Sequence, residues 1–206
     1  LKMLKDAYVE NEPPKYLNSP ETPLFDKSKT LYALHLARKP IIDSGHAIVV
    51  EGYTDAIACH QAGICNVVAT LGTALTAAHA AKLGRLCRRV VLVFDGDAAG
   101  QRAADRAVEV FFASEIDLGI CTLPDNHDPD SIIKLPDGNT LFRNAIDTAP
   151  ELLDYLGASF KADFDAAHGV SERQHVIKRF LERLSGLGLN DAGDVRRHLI
   201  LDYLSA

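Results

Sequence analysis

Short apolar runs rich in β-branched residues recur through the middle of this chain, about 20 to 30 residues apart. Segments of helical character separate these runs, at about residues 54–62, 76–87 and 99–114. Strand, helix and strand at this spacing are typical of parallel βαβ units with right-handed crossovers. We therefore predict an α/β fold with a mostly parallel sheet flanked by helices. The predicted strands are Ala47–Val50, Val67–Thr70, Val90–Phe94 and, with a weaker pattern, Ile120–Leu123.

Three regions differ in their patterning. Residues 1–44 are irregular apart from a helical stretch near Lys29–Lys39, and residues 45–135 hold the alternation of strands and helices. From residue 136 to residue 206 the strand pattern stops, and segments such as VIKRFLERLSGL and VRRHLILDYLS have the apolar spacing of amphipathic helices. The sequence thus predicts an irregular N-terminal part, a central α/β domain and a C-terminal helical subdomain.

Composition is typical of a soluble globular protein of the cytoplasm. Of the 206 residues, 47% are hydrophobic, which is enough for one sizeable core. No run of about 18 apolar residues occurs, and the start LKMLKDAYVE lacks the apolar centre of a signal peptide, so we expect no membrane association. The cysteines are too widely spaced for a zinc ribbon, and we predict reduced core thiols at Cys59, Cys65, Cys87 and Cys121.

Acidic residues follow the predicted strands, at the point where each strand ends. Glu51 comes directly after AIVV, and a DGD turn comes directly after VVLVF. In open α/β sheets the carboxyl ends of the strands form the edge at which ligands bind. Carboxylate oxygens that converge without cysteine or histidine partners suit Mg²⁺ or Mn²⁺. The sequence therefore predicts a divalent-cation site built from Glu51, Asp95, Asp97, Asp128 and Asp130.

Two features leave other interpretations open. Asp97 can cap the helix that follows it while Asp95 stays solvated, because a lone Asp near a helix start is commonly a cap. The net charge of −6, taken by itself, argues against a nucleic-acid binder. The acidic residues, however, gather in EGYTD, DGD and DNHDPDS, and the basic residues in PPKYLN, DKSK, LARK and GRLCRR. This separation is expected where carboxylates hold cations instead of repelling a polyanion.

Five motifs give the chain a family resemblance. The series EGYTD, TLGTALT, FDGDAAG and DPDS resembles the Toprim fold, which bacterial primases, topoisomerases and some nucleases share. Upstream, PPKYLNSPETPLFDKSKTLYAL resembles a segment of DnaG-type bacterial primases that the other Toprim families lack. The resemblance implies a primase RNA-polymerase core with a Toprim-type sheet. Residues 1–44 would be the remnant of its basic N-terminal subdomain, 45–135 the Toprim catalytic domain and 136–206 the helical subdomain.

The resemblance also implies roles for the acidic residues. Glu51 matches the Toprim glutamate, which acts as a general acid or base or helps to hold a metal, and Asp55 is its acidic neighbour. The other expected metal ligands are Asp95, Asp97, Asp128 and Asp130. Glu51, Asp95 and Asp97 would then be the catalytic residues, with Mg²⁺ or Mn²⁺ as the cofactor. Zinc is expected only in an N-terminal primase domain that is absent from this chain.

A second set of residues matches positions that contact nucleotide or template or lie beside the metals, namely Lys15, Tyr16, Asn18, Lys27, Gly72 and Thr73. Backbone amides of the Gly72–Thr73 loop could face phosphate oxygens. Local interpretations stay open here too, because Asn18 before Ser-Pro favours a turn, Lys27 can be a solvated surface charge, and Thr76 is placed as a helix cap. No zinc-like spacing links the histidines, and we predict surface positions or positions beside the metal site for His60, His79 and His127.

The activity implied by the resemblance is DNA-templated synthesis of short RNA primers by metal-dependent nucleotidyl transfer. The expected partners are single-stranded DNA template, NTPs and the RNA primer. In the full-length protein they also include the replicative helicase and the single-strand-binding protein, and the helicase-binding domain is expected to be absent from this chain. Two alternatives would use the same acids. One is a Toprim phosphodiesterase or nuclease, which has no use for KYLNSPET, and the other is a metal-binding interaction module without turnover.

Overall fold

The computed structural model describes residues 19–94, 98–112, 114–124, 127–190 and 193–205. Within these ranges the strands are β1 (His46–Val50), β2 (Val67–Ala69), β3 (Arg89–Phe94) and β4 (Asp117–Thr122). The helices are α1 (Leu34–Ser44), α2 (Tyr53–Gln61), α3 (Ala77–Leu83), α4 (Ala98–Phe112), α5 (Pro129–Ile133), α6 (Gly138–Asp147), α7 (Leu152–Ala166), α8 (Val170–Gly186) and α9 (Asp194–Ser205). No helix in the described ranges has both the length and the apolar character needed to cross a bilayer.

The strands form one parallel sheet in the order β2-β1-β3-β4. Ile48 of β1 lies opposite Val67 of β2, and Val49 lies opposite Leu92 of β3. The chain therefore moves from β1 to one side for β2 and then to the other side for β3 and β4. In open α/β sheets, ligands bind where the strand order reverses in this way, which here is between β1 and β3. The predicted α/β class with a parallel sheet is confirmed.

Helices cover both faces of the sheet because its strands are apolar on both faces. On one face, alternate strand residues such as Val49 and Leu92 pack with residues of α1, α3, α4 and α7 to α9. On the other face, residues such as Val50 and Val93 pack with α2, α5 and α6. The C-terminal segment is helical, as predicted, and Leu156 of α7 joins the first cluster. The C-terminal helices thus share a core with the sheet.

Both outer strands are paired with non-strand segments of the chain. Beside β2, Tyr32 donates its N–H to the Ala69 carbonyl oxygen at 2.8 Å and accepts the Ala69 N–H at 3.3 Å. Beside β4, Gly119 lies opposite Glu151 in an antiparallel bridge. A Cβ on Gly119 would lie 3.3 Å from Val91 Cγ2, which is tighter than ordinary packing. Glycine at position 119 therefore suits the close contact with Val91, next to the bridge between Gly119 and Glu151.

The structure differs from the sequence-based expectation in three places. The first helix begins at Leu34, whereas we predicted helix from Lys29, because turns centred on Asp26 precede it and Ala33 has a left-handed φ of 60°. In these turns the Asp26 carboxylate accepts the Ser28 N–H at 2.9 Å. Cys65 is exposed, whereas the other three cysteines are buried as predicted, and all four are free. His79 is fully buried, so the surface position considered for it is wrong.

Three side chains of α3 and its cap bind the turn formed by residues 27–30. The Thr76 hydroxyl donates to the Ser28 carbonyl oxygen at 2.6 Å, and Thr76 also caps α3, as predicted, by accepting the His79 N–H at 3.2 Å. His79 Nε2 lies 3.0 Å from the Lys27 carbonyl oxygen, and the Lys82 ammonium donates to the Lys29 carbonyl. Because His79 Nδ1 accepts the Thr76 N–H, Nε2 is the nitrogen that carries the proton. These contacts hold the backbone of Lys27 against the α/β domain.

We expect the protein to lose stability as the pH falls below about 6.5, in part through His79. Burial lowers the pKa of His79 from its ordinary value of 6.5, and Lys82 lowers it further while the Lys27 carbonyl and Asp26 oppose this. The unfolded chain therefore takes up a proton at a pH at which the folded chain does not, so the contribution is complete above pH 6.5 and falls below it. Urea unfolding at about pH 7.5 and about pH 5.5 measures the loss.

The variant His79→Asn should lose less stability than wild type between these two pH values, because residue 79 then has no proton to gain. His175→Asn is the matched control, since His175 is exposed on α8, and it should keep the wild-type pH dependence. If wild type and His79→Asn lost the same stability between the two pH values, His79 would not contribute to the pH dependence.

Substitution of Gly138 at the start of α6 should destabilise the fold. A Cβ at this position would clash with the carbonyl oxygen of Ile132 and lie 2.7 Å from that of Ile133, and both are backbone atoms that cannot swing away. We expect Gly138→Ala to lower the free energy of unfolding by about 1–3 kcal/mol. Gly186→Ala, where a Cβ would meet nothing within 4 Å, is the control and should change it by at most about 1 kcal/mol, toward greater stability. Equal stabilities in urea unfolding would rule out the tight contact.

Candidate active site

The carboxyl ends of β1 and β3 open onto a cavity of about 350 Å³. Its walls come from these strand ends, from the loop after β2 and from α4. Small-molecule pockets in proteins span about 300–1,000 Å³, so the cavity can hold one small ligand. The lining includes Glu51, Gly72, Thr73, Arg102 and Arg106. Three residues that the sequence predicted for the site, Glu51, Gly72 and Thr73, thus meet at one place.

Glu51 is the first residue after β1, and its backbone is held from the neighbouring strand. Thr70, which is buried, donates its hydroxyl to the Glu51 carbonyl oxygen at 3.2 Å and its N–H to the Val50 carbonyl oxygen at 3.2 Å. The Glu51 residue itself is exposed. An accessible carboxylate on a fixed backbone is the arrangement required of a group that holds a cation or accepts a proton at one position.

The loop after β2 places a polar atom without a partner beside the cavity. Gly72 has a φ of 70°, in the left-handed region that favours glycine. The next residue, Thr73, has a buried hydroxyl oxygen with no hydrogen-bond partner among the described residues. An unsatisfied buried polar group costs about 1–3 kcal/mol. A ligand with an acceptor atom would satisfy it.

Asp55 has a structural partner at the start of α2. Its carboxylate accepts the Gly52 N–H at 3.2 Å, which satisfies one of the amides that a helix start leaves unpaired. A Cβ at Gly52 would lie 2.7 Å from the same carboxylate oxygen, so a larger residue there would require the Asp55 carboxylate to shift. Asp55 is not part of the cavity lining in the described ranges. Its metal-binding role stays a prediction.

Asp128 and Asp130 lie at the start of α5, and both have partners there. Asp128 accepts the Ser131 N–H at 2.7 Å and Pro129 follows it, an arrangement typical of a helix cap. Partial burial would raise the pKa of Asp128, but hydrogen bonds from Ser131 outweigh this effect and the pKa is lowered. Asp130 forms an ion pair with Lys134 at 2.5 Å. The capping role considered for Asp97 is thus seen at Asp128, and the metal-binding roles of Asp128 and Asp130 stay predictions.

Several predicted site residues lie outside the described residues, namely Lys15, Tyr16, Asn18, Asp95 and Asp97. Lys27 is described and half-buried, and its carbonyl oxygen is the acceptor for His79. Its side chain is not part of the cavity lining in the described ranges. The nucleotide contact predicted for Lys27 therefore stays a prediction.

The donor groups at the cavity suit a hard cation. Burial raises the pKa of Cys59 to about 12 and that of Cys121 to about 11, so these thiols supply no thiolate ligand at neutral pH. In the described ranges no three His, Cys, Asp or Glu side chains converge on one point, so those ranges alone hold no complete set of ligands. Glu51 supplies carboxylate oxygens, the type of ligand that Mg²⁺ and Mn²⁺ prefer. The residues fit such a cation, with further ligands predicted at Asp95 and Asp97.

Sequence reasoning missed the two arginines of the cavity. Arg102 and Arg106 lie four residues apart on α4, and residues with this spacing share one face of a helix. The spacing is visible in the sequence DGDAAGQRAADRA, and it indicates a basic face directly after the acidic turn. Which side of α4 meets the end of β1 is set by tertiary packing, and only the structure gives it.

Comparison with known proteins gives the same family by sequence and by structure. The family described as Toprim-like matches residues 48–133, and the family described as the N-terminal domain of the DNA primase catalytic core matches residues 6–38. The DNA primase of Legionella pneumophila is 38% identical over 180 residues, which are 85% of this chain and 31% of that protein. The chain spans about a third of the length of the curated relatives that it matches.

Two solved structures agree with this match. A DNA primase domain from Pseudomonas aeruginosa has a TM-score of 0.80 at 36% identity, over 96% of this chain and 61% of that chain. A DnaG primase catalytic domain bound to ssDNA has a TM-score of 0.78 at 32% identity, over 95% of this chain and 62% of that chain. The family resemblance of the EGYTD, DGD and DPDS motifs is thereby confirmed. The chain belongs to the DnaG-type primase family, and it corresponds to part of the catalytic core.

Proposed function

We propose that this chain carries the polymerase centre of a DNA primase, which synthesises short RNA primers on a DNA template by nucleotidyl transfer. The observation that most supports this proposal is the cavity between the ends of β1 and β3, where the Glu51 carboxylate, the Thr73 hydroxyl and two arginines meet. The cavity lies where the strand order reverses, in a chain of the DnaG-type family. A family member bound to ssDNA supports single-stranded DNA as the template.

In the proposed reaction, the 3′-hydroxyl of one nucleotide attacks the α-phosphorus of an incoming NTP. A phosphorus–oxygen bond forms to that hydroxyl, the hydroxyl loses its proton, and the bond to pyrophosphate breaks. Mg²⁺ or Mn²⁺, when bound, would lower the pKa of the hydroxyl and neutralise charge on the phosphates. The proposed ligands are Glu51, Asp55, Asp95, Asp97, Asp128 and Asp130.

Glu51, Asp95 and Asp97 are the proposed catalytic residues. Thr70 fixes the backbone of Glu51, so its accessible carboxylate can hold one position beside the reacting hydroxyl. There it can accept the hydroxyl proton or help to hold the cation. Asp95 and Asp97 follow β3 directly in the sequence, and β3 is the neighbour of β1 in the sheet. Their position in the chain supports a role in the same site.

Basic and polar residues are the proposed contacts to nucleotide and template. Lys15, Tyr16, Asn18 and Lys27 would contact these substrates, and the amides of Gly72 and Thr73 would contact phosphate. The hydrogen bond from His79 to the Lys27 carbonyl supports a fixed position for this lysine. NTPs, the RNA primer and the template are the proposed substrates and partners. In the full-length protein, the replicative helicase and the single-strand-binding protein are further proposed partners, with cytoplasmic location.

Primer synthesis tests the proposal and separates it from the two alternatives. A full-length primase that contains this chain is supplied with single-stranded DNA and labelled NTPs. Template-dependent RNA products support the polymerase, cleavage of a phosphodiester without synthesis indicates the nuclease, and metal binding without either indicates the interaction module.

We expect Glu51→Gln to lower the rate of primer synthesis by ~10²–10⁴-fold, the range for acid–base groups. The substitution removes the charge and the basic oxygen but keeps the size of the side chain, so the fold should be unchanged. Glu109→Gln is the matched control, because Glu109 is exposed on α4 and outside the cavity lining, and it should retain wild-type activity. A Glu51→Gln rate within about threefold of wild type would contradict the role of Glu51.

We expect magnesium in the millimolar range to raise the melting temperature of the wild-type chain. Carboxylates that crowd one site repel each other, and a cation that binds only the folded form stabilises it by about 2.7 kcal/mol at a hundred times its Kd. The variant Asp95→Asn, Asp97→Asn should melt higher than wild type without metal and lose most of the response to magnesium. Thermal melts in EDTA or magnesium, at constant ionic strength, measure both effects.

The matched control for this measurement is Asp163→Asn, Asp165→Asn. These two aspartates have the same spacing and are exposed on α7, so the variant should keep the full response to magnesium. An equal magnesium shift in wild type and in the Asp95, Asp97 variant would show that the DGD turn does not hold the cation.

A further inference from the structure

Arg102 and Arg106 give the cavity beside Glu51 a cationic wall. Both arginines line it from α4, together with Ala103 and Ala107, whose small side chains leave room in front of the helix. One turn separates the two, so their Cβ atoms are about 5–6 Å apart and both guanidinium groups can reach one ligand. The cavity thus has an acidic side at the end of β1 and a basic side at α4.

Neither arginine has an ion pair or hydrogen bond within the part of the chain that the structure describes. The nearest acid on the helix, Asp105, is engaged elsewhere, since its Oδ1 lies 2.9 Å from Arg183 Nη2 and 3.4 Å from the Tyr155 hydroxyl. Acids outnumber bases in this chain, 28 to 22. Among the described residues, these two arginines have no carboxylate partner and both line one cavity, so they can bind an anionic ligand there.

The helix that carries these arginines is fixed on its other side. Ala104, Val108 and Phe111 are buried in the core cluster, and the ion pair of Asp105 with Arg183 joins α4 to α8. Binding groups on a packed helix keep their positions better than groups on a loop. The two guanidinium groups thus extend from a rigid base.

The chemistry of the wall favours phosphate. Guanidinium is planar and binds phosphate oxygens through two parallel hydrogen bonds, so Arg is the residue that suits this group best. Thr73 lies in the same lining, and its hydroxyl, which has no partner among the described residues, can donate to a further phosphate oxygen. A single nucleic-acid strand is usually bound along an extended positive groove with aromatic side chains for the bases. The cavity is instead compact, and the aromatic side chain in its described lining, Phe94, is buried in the core and not displayed for stacking on a base.

We propose that Arg102 and Arg106 bind the triphosphate of the incoming nucleotide, with the Thr73 hydroxyl as an additional donor. This inference rests on the proposed function for the identity of the ligand, and it adds the residues that hold the ligand's charged end. Because the arginines carry their own charge, this part of nucleotide binding does not require a cation. The triphosphate is held at the α4 wall of the cavity, and Glu51 lines the same cavity from the end of β1.

The test measures binding of ATP, inorganic tripolyphosphate and adenosine to the full chain in EDTA, by titration calorimetry. Tripolyphosphate should bind and compete with ATP, and adenosine should not compete. Arg102→Ala, Arg106→Ala should weaken the binding of ATP and tripolyphosphate by at least about tenfold, since two charge-assisted contacts are lost. Arg102→Lys, Arg106→Lys keeps the two charges but lacks the planar guanidinium groups. Its affinity for ATP and tripolyphosphate should lie between that of wild type and that of the alanine variant.

The matched control is Arg85→Ala, Arg88→Ala. These arginines are exposed and precede β3, at the opposite edge of the sheet, so the variant loses the same charge away from the cavity. It should bind ATP and tripolyphosphate as wild type does. Absence of tripolyphosphate binding to wild type, or equal affinities in wild type and the Arg102, Arg106 variant, would overturn the inference.

Two further measurements separate the triphosphate from a nucleic-acid ligand and from the proposed function. If the Arg102, Arg106 variant lost affinity for a single-stranded oligonucleotide but kept that for ATP, the arginines would bind the strand and the inference would be overturned. In full-length primase, the variant should raise the KM for NTP. Absence of primer synthesis by wild type would contradict the proposed function, whereas arginine-dependent binding of tripolyphosphate in EDTA would still support the inference.

Discussion

The parallel pairing of β1 with β3 is the interaction on which the candidate site depends. It places the end of β1, which Glu51 follows, beside the end of the strand that precedes the DGD motif in the sequence. Both strands are central in the sheet and buried on both faces, so the core holds their ends in place. A slip of one residue would exchange the two faces of a strand and transfer Val49 from one core cluster to the other. The register that packs the core is thus also the register that positions the carboxylate.

Capping and cation binding place compatible demands on the acidic residues. Asp55 and Asp128 each accept an amide of a helix start. An ionised carboxylate has two oxygens and about four acceptor sites, so a bond to one amide occupies only part of this capacity. The hydrogen bonds that lower the pKa of Asp128 also keep it ionised, as a cation ligand must be. A cap can therefore orient a carboxylate that also binds a ligand.

Local patterns in the sequence predicted the sheet, and long-range contacts account for most of what they missed. Apolar runs such as Val90–Phe94 identified buried strands because both faces of a central parallel strand must be apolar. Glu51, Gly72 and Thr73 line one cavity because parallel strands end at a common edge. The burial of His79 depends on a turn about fifty residues earlier in the chain, and no local pattern reports it. The direction in which α4 presents Arg102 is likewise a property of the packed helix. The metal-binding roles of Asp95 and Asp97 stay predictions from the sequence.

The bridges at Tyr32 and Glu151 have a consequence for how this segment meets other molecules. Each pairs with an outer strand, and the exposed amides and carbonyls of such a strand would otherwise be a template for a foreign strand. A peptide could add to the middle of either edge only by displacing a segment of the protein's own chain. Recognition of other molecules is thereby directed to side chains on loops and helices. A sheet occupied in this way is also less prone to join with its own copies when the protein is concentrated.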